Sequence, residues 1–169
     1  MTAENSFKAL VILILLGIVA ACGGGSSSRA NPPGNPPPTG GSEGPEVGAV
    51  VEISSVNAGT CVDVIGPHSE VEYLRVADCN SPHPFEVAGK VVRPEGADEE
   101  FPGDRVLNFT AHQDCRGAFE EWVGRPYSGE ELAINTIVPS RGTWRDGDRE
   151  IICLITGENG AMLTAPARG

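Results

Sequence analysis

Positive charge is scarce in this chain: 12 lysines and arginines stand against 23 aspartates and glutamates, a formal net charge of −11 at pH 7 over 169 residues. Glu4 and Lys8 cancel within residues 1–21, and Arg29, Glu43 and Glu46 leave the segment 22–48 at −1, so −10 rests on residues 49–169. Such a surface repels the phosphates of nucleic acid and of anionic lipid headgroups, so neither is expected as a partner surface. Aromatic residues are also scarce, at 5%, which leaves little bulky side-chain area for a core. There are three histidines, His68, His83 and His112. Cys79-x-x-x-His83 supplies at most two zinc ligands, and the other two histidines have no partner at ligand spacing. No metal and no other cofactor is expected. No serine stands in the setting of a nucleophile elbow. The longest apolar run, ALVILILLGIVAA from Ala9 to Ala21, has 13 residues. That is roughly 20 Å of helix against ~30 Å of hydrocarbon, too short for a membrane span.

What is present divides the chain into three parts. The run from Ala9 to Ala21, preceded by Lys8, reads as the apolar region of a signal peptide over residues 1–21. It ends in Val19-Ala20-Ala21-Cys22, which resembles the lipobox of bacterial lipoproteins. That resemblance implies cleavage before Cys22, a diacylglycerol on its thiol, and residence on the extracytoplasmic face of the cell membrane. Two or more acyl chains give stable anchoring. Residues 22–48, rich in Gly, Pro and Ser, cannot bury enough surface to offset their ordering entropy and read as a disordered tether reaching roughly 30–70 Å. Residues 49–169 are the right size for one domain.

With Cys22 acylated, Cys61, Cys79, Cys115 and Cys153 remain. An even count in an exported domain reads as two disulfides, with three connectivities. GTCVDVIG and VEYLRVADC read as strands about a GPHSE turn, which favours Cys61 with Cys79 across one hairpin. From Asp104 as N-cap to Gly124, Leu107, Ala111, Cys115, Ala118, Phe119 and Trp122 recur at helical spacing. REIICLITG, holding Cys153, is apolar on both alternating faces, the pattern of a central strand. A Cys115–Cys153 bond would tie that helix to the sheet. Residues 50–56, 84–92 and 132–139 read as further strands, SGEE (128–131) as a short capped turn, and 140–150 as a loop. The predicted fold is α+β, a mostly antiparallel sheet with one main helix.

The stretch CNSPHPFEV, Cys79–Val87, carries most of the polar chemistry. Pro82 and Pro84 fix the backbone about His83, so SPHP reads as a rigid corner between strands. His83 is expected to bond a backbone carbonyl or a carboxylate, with Asp148 and Arg149 as candidates. In a regular extended chain His83 and Phe85 share one side and Glu86 faces away. The candidate binding surface is His83, Glu86, Trp144, Asp148 and Arg149, since Trp and Arg dominate interface hot spots. Trp144 has the competing role of capping one end of the core.

GTCVDV, a strand ending in Cys79, C-x-x-P-H with Glu86-Val87, then Cys115 with FEEWVG (119–124), Pro139, Trp144, GDR (147–149) and Cys153 follow one another in a fixed order. This combination resembles the septum-formation domain of actinobacterial envelope proteins over roughly residues 58 to 165. The resemblance implies a membrane-anchored protein with a part in division-septum or envelope processes. The expected function is a non-enzymatic interaction domain on a lipid tether, with an envelope or division protein as partner. The alternative is a lipoprotein that binds a small molecule or cell-wall fragment.

Overall fold

A computed structural model describes residues 44–66 and 71–168. The signal peptide, Cys22, the tether as far as residue 43 and the hairpin tip with His68 lie outside the described residues. The elements run β1 (Val50–Glu52), a 3-10 turn (Ile53–Ser55), β2 (Cys61–Val64), β3 (Tyr73–Val76), β4 (Phe85–Val92), α1 (Asp104–Val123), β5 (Leu132–Ile137), α2 (Arg141–Arg145) and β6 (Glu150–Gly157). They form one six-stranded sheet in the order β1-β3-β2-β4-β6-β5. Every neighbouring pair is antiparallel. The fold is α+β with one main helix, as the sequence predicts.

β6 lies between β4 and β5, which is why both of its faces are apolar. Ile151, Cys153 and Ile155 point to α1 and join Ala111, Cys115, Phe119 and Val123. Ile152 and Leu154 point to the other face and meet Val56, Val62, Leu74 and Val87. β2 and β4 share only the pairs Cys61↔Glu86 and Val62↔Phe85. That brief junction lets the β1-β3-β2 half fold its apolar residues over β6.

α1 begins one residue earlier than predicted: Gly103, at φ 92°, is the N-cap, and Asp104 is the first helical residue. Its carboxylate there still favours the positive end of the helix dipole. Gly124 closes α1 in the left-handed region, its N–H donating to the Glu120 carbonyl. Arg93, at the end of β4, donates to Asp114 and Thr110 of α1 at 2.7 Å each. The carboxylate of Glu95 beside it holds the proton on Arg93 more firmly than usual. Both expected disulfides are present, Cys61–Cys79 and Cys115–Cys153, each with 5.4 Å between Cα atoms.

Three local expectations are corrected. The strand predicted over 50–56 stops at Glu52, because Ser55 Oγ donates to the Glu52 carbonyl at 2.7 Å and curls the chain into a 3-10 turn. SGEE makes no helical turn; Ser128 Oγ instead accepts from the Glu130 N–H at 3.4 Å. The loop over 140–150 contains α2, capped by Ser140 Oγ, which accepts from the Thr143 N–H at 3.2 Å.

Candidate functional site

The corner after Cys79 is built by side chains bonding nearby backbone. Asp78 Oδ1 accepts from the Asn80 N–H at 2.9 Å, and Oδ2 accepts from Ser81 Oγ at 3.0 Å. The Asn80 N–H, with the Ser81 hydroxyl next, holds the Asp78 carboxyl below its ordinary range. His83 Nδ1 lies 2.7 Å from the Ser81 carbonyl oxygen. A carbonyl only accepts, so Nδ1 carries a hydrogen, and in a neutral ring Nε2 then carries the lone pair. The His83 backbone exchanges two hydrogen bonds with Leu163, at 2.9 and 2.8 Å. The ring is fully buried, and Nε2 has no hydrogen-bond partner.

Glu86, also fully buried, faces α1. Its Oε1 accepts from Trp122 Nε1 at 2.5 Å and its Oε2 from the Ala167 N–H at 2.6 Å. The Trp122 ring lies against Gly59, where a Cβ would stand 2.6 Å from the indole; Gly59 also has φ +85°. Glycine is required there on both counts. The Arg168 guanidinium lies 4.8 Å from the Trp122 ring centroid. Across the sheet Cys61 is the direct partner of Glu86. One ligand-type atom each of Cys61, His83 and Glu86 lies within 4.8 Å of the others.

This arrangement overturns two expectations. His83 and Glu86 do not diverge but converge, because His83 precedes β4 in the Pro82–Pro84 corner, where the alternation of a strand does not yet hold. Further along β4, a bulge with Ala88 inserted between the paired Val87 and Gly89 puts Glu86, Ala88, Gly89 and Val91 all on the helix side. Phe85 packs in the opposite cluster. The pair of potential ligands read from Cys79-x-x-x-His83 is replaced by a set to which Cys61 and Glu86 contribute from two strands.

The candidate surface does not exist as one surface. Val92 at the far end of β4 pairs with Glu150, so Trp144, Asp148 and Arg149 sit six residues along from Glu86, about 20 Å away. Asp148 and Arg149 are therefore no partners of His83. Trp144 and Arg149 are buried, at 2% and 6% exposure. The Arg149 guanidinium stacks on the Trp144 ring at 3.7 Å and donates to the carbonyls of Trp144, Asp148, Gly96 and Ala97. Trp144 Nε1 donates to the Glu99 carbonyl at 2.8 Å, and Phe101 meets the ring edge-on. Together they pin the acidic loop that precedes α1.

Asp148 alone of the five opens onto a cleft of about 530 Å³, set between α2, the 3-10 turn and the sheet face away from α1. Ile53, Val71, Ile137 and Ile152 give it an apolar floor. Glu72, Asp146, Asp148 and Glu150 rim it, with no lysine or arginine among the lining residues. Trp122, Gly59 and the cleft floor were not singled out from sequence as site residues. The one available signal was the indole N–H of Trp122, which needs an acceptor wherever the ring is covered.

An antiparallel sheet with one disulfide-linked helix on one face and an acidic cleft on the other defines a small, covalently braced α+β domain. The sequence model described as septum formation matches residues 58–168, and the chain belongs to that family. Its role is accordingly one related to septum formation. No curated protein and no solved structure matches the chain.

Proposed function

We propose that the chain acts in septum or envelope assembly as a non-enzymatic, membrane-tethered interaction domain that captures a basic, partly apolar segment of an envelope or division protein. The cleft carries this reading: an apolar floor for alternate side chains of an extended segment, and a rim of four carboxylates, of which Glu150 pairs with Lys90 at 3.2 Å and Asp146 with Arg145 at 3.8 Å, leaving the balance negative. An excess of negative charge around such a floor selects lysine and arginine in the occupant and rejects acidic segments. Lipidation at Cys22 and the Gly/Pro/Ser tether suit this role, since they hold the domain near the membrane while leaving it free to reach.

The full-length chain should bind a synthetic peptide that alternates leucine with lysine, and more weakly as salt rises. Glu72 and Asp146 are exposed, so reversing both to lysine should keep the fold and weaken binding roughly 5–30-fold, about 0.5–1 kcal/mol per rim charge. An unchanged affinity in Glu72→Lys/Asp146→Lys overturns the cleft as the docking place. Saturable binding of a cell-wall fragment with no peptide binding would favour the small-molecule alternative. Anchoring has its own test: Cys22→Ala should shift the chain from the membrane fraction to the soluble fraction, or leave it as precursor. Normal processing with full membrane retention removes the lipid anchor.

A further inference from the structure

We infer that the Cys61–Cys79 bridge gates a buried metal site. Oxidised, it braces the first hairpin; reduced, it releases two thiols that join His83 and Glu86 as a four-ligand site for zinc. The inference begins with His83 Nε2, a buried ring nitrogen with no partner. Such an atom is costly to leave unmet, and native proteins rarely do so without a use for it. With Nδ1 turned to the Ser81 carbonyl, it is the ring nitrogen left for a cluster in which ligand-type atoms of Cys61, His83 and Glu86 lie within 4.8 Å of one another. Tetrahedral zinc sets its ligand atoms about 3.3–3.8 Å apart. A movement of roughly 1 Å closes the set, within reach of a freed cysteine side chain. Cys79 is the fourth member by its bond to Cys61.

The outer contacts match those that orient metal ligands. His83 Nδ1–H donates to the Ser81 carbonyl, which fixes the tautomer with Nε2 inward. Glu86 is held by donors from Trp122 and Ala167, which aim the carboxylate and leave further lone pairs. Two thiolates, an imidazole and a carboxylate suit zinc or cobalt rather than calcium or magnesium. The oxidised bridge blocks the site, because a disulfide sulfur is neutral and a poor ligand, and two ligands are too few.

Access to the gate is one-sided. Cys79 is partly exposed while Cys61 is 1% exposed. A thiolate of a dithiol reductant attacks Cys79 Sγ, the S–S bond breaks, and Cys61 leaves as the thiolate. The second thiol of the reductant attacks the mixed disulfide, frees Cys79 and carries away the oxidised dithiol. On binding Zn²⁺ both cysteines coordinate as thiolates, and the two protons of the reduced dithiol pass to solvent. Cys115 and Cys153 are both buried, at 0% and 1%, and stay bonded under the same mild treatment.

The test uses the full-length chain with Co²⁺ as a spectroscopic stand-in for zinc. After mild dithiol reduction the chain should bind one Co²⁺ with thiolate-to-cobalt charge-transfer and tetrahedral d–d bands, and the oxidised chain should show neither. His83→Gln and Glu86→Gln should each weaken that binding at least about tenfold. Trp122→Phe, which removes an outer donor, should weaken it ~10–100-fold. Cys79→Ser frees Cys61 without any reductant and should bind Co²⁺ with one thiolate. A folded reduced chain and a folded Cys79→Ser chain that both leave Co²⁺ unbound overturn the inference, as does binding indifferent to His83→Gln. So does a chain that unfolds on reduction and is not refolded by Co²⁺.

Discussion

Trp144→Ala should lower the melting temperature by roughly 10–20 °C, the loss of about 3–5 kcal/mol expected for a buried tryptophan at ~4 °C per kcal/mol. The ring is 2% exposed and makes three kinds of contact at once. Arg149 stacks on its face, Phe101 meets its edge, and its N–H holds the Glu99 carbonyl. Removing it leaves a void under Arg149 and unties the loop before α1. Peptide capture per folded molecule should be preserved, because Trp144 does not line the cleft. Thermal circular dichroism alongside a binding titration separates the two effects. A stable Trp144→Ala chain that no longer binds the peptide would return Trp144 to the role of interface anchor.

Removal of the second bridge is the other large effect. Cys115 and Cys153 are 38 residues apart in sequence, and closing a loop of that length in the unfolded chain is worth about 4 kcal/mol in the chain-entropy account. The double substitution Cys115→Ala/Cys153→Ala should therefore cost about 15 °C in melting temperature. The paired substitution Cys61→Ala/Cys79→Ala opens a loop of 18 residues and should cost about 3 kcal/mol. The order of the two is the check: Cys115–Cys153 also joins α1 to the central strand within the core, so its loss is the greater. A larger drop for the 61–79 pair would mean that the hairpin, rather than the helix–sheet contact, limits stability.

The elements that could be read from sequence are those in which periodicity and burial agree. α1 shows a helical apolar face from Leu107 to Phe119, and β6 is apolar on both sides because strands flank it and both of its faces are covered. The hairpin cysteines could be paired because their contact is local. The candidate site was less legible because its contacts are distant or depend on one inserted residue. The bulge at Ala88 decides that Gly89 and Val91 share the helix side with Glu86, and nothing in PFEVAGKVV marks it beyond a glycine. The donor to Glu86 Oε2 lies 81 residues away. Trp144 and Arg149 were read as binding types, yet the same stacking and donor chemistry serves equally to hold down a loop. The cleft collects residues from segments near 53, 71, 137 and 150, so no contiguous motif announces it.

The segment from Ala161 to Arg168 covers the His83–Glu86 corner through Leu163 and Ala167. A chain is made from its N-terminus, so the first hairpin and β4 exist well before their cover does. Until residue 167 emerges, the Glu86 carboxylate keeps water as a partner in place of the Ala167 N–H. The middle of the domain is thus finished by residues made after every strand of the sheet. A premature stop at 162 would not trim a tail; it would leave the centre of the sheet unsealed at one end. Slow closure is the physical corollary, because contacts at such long sequence separation form only after the intervening chain has given up its freedom.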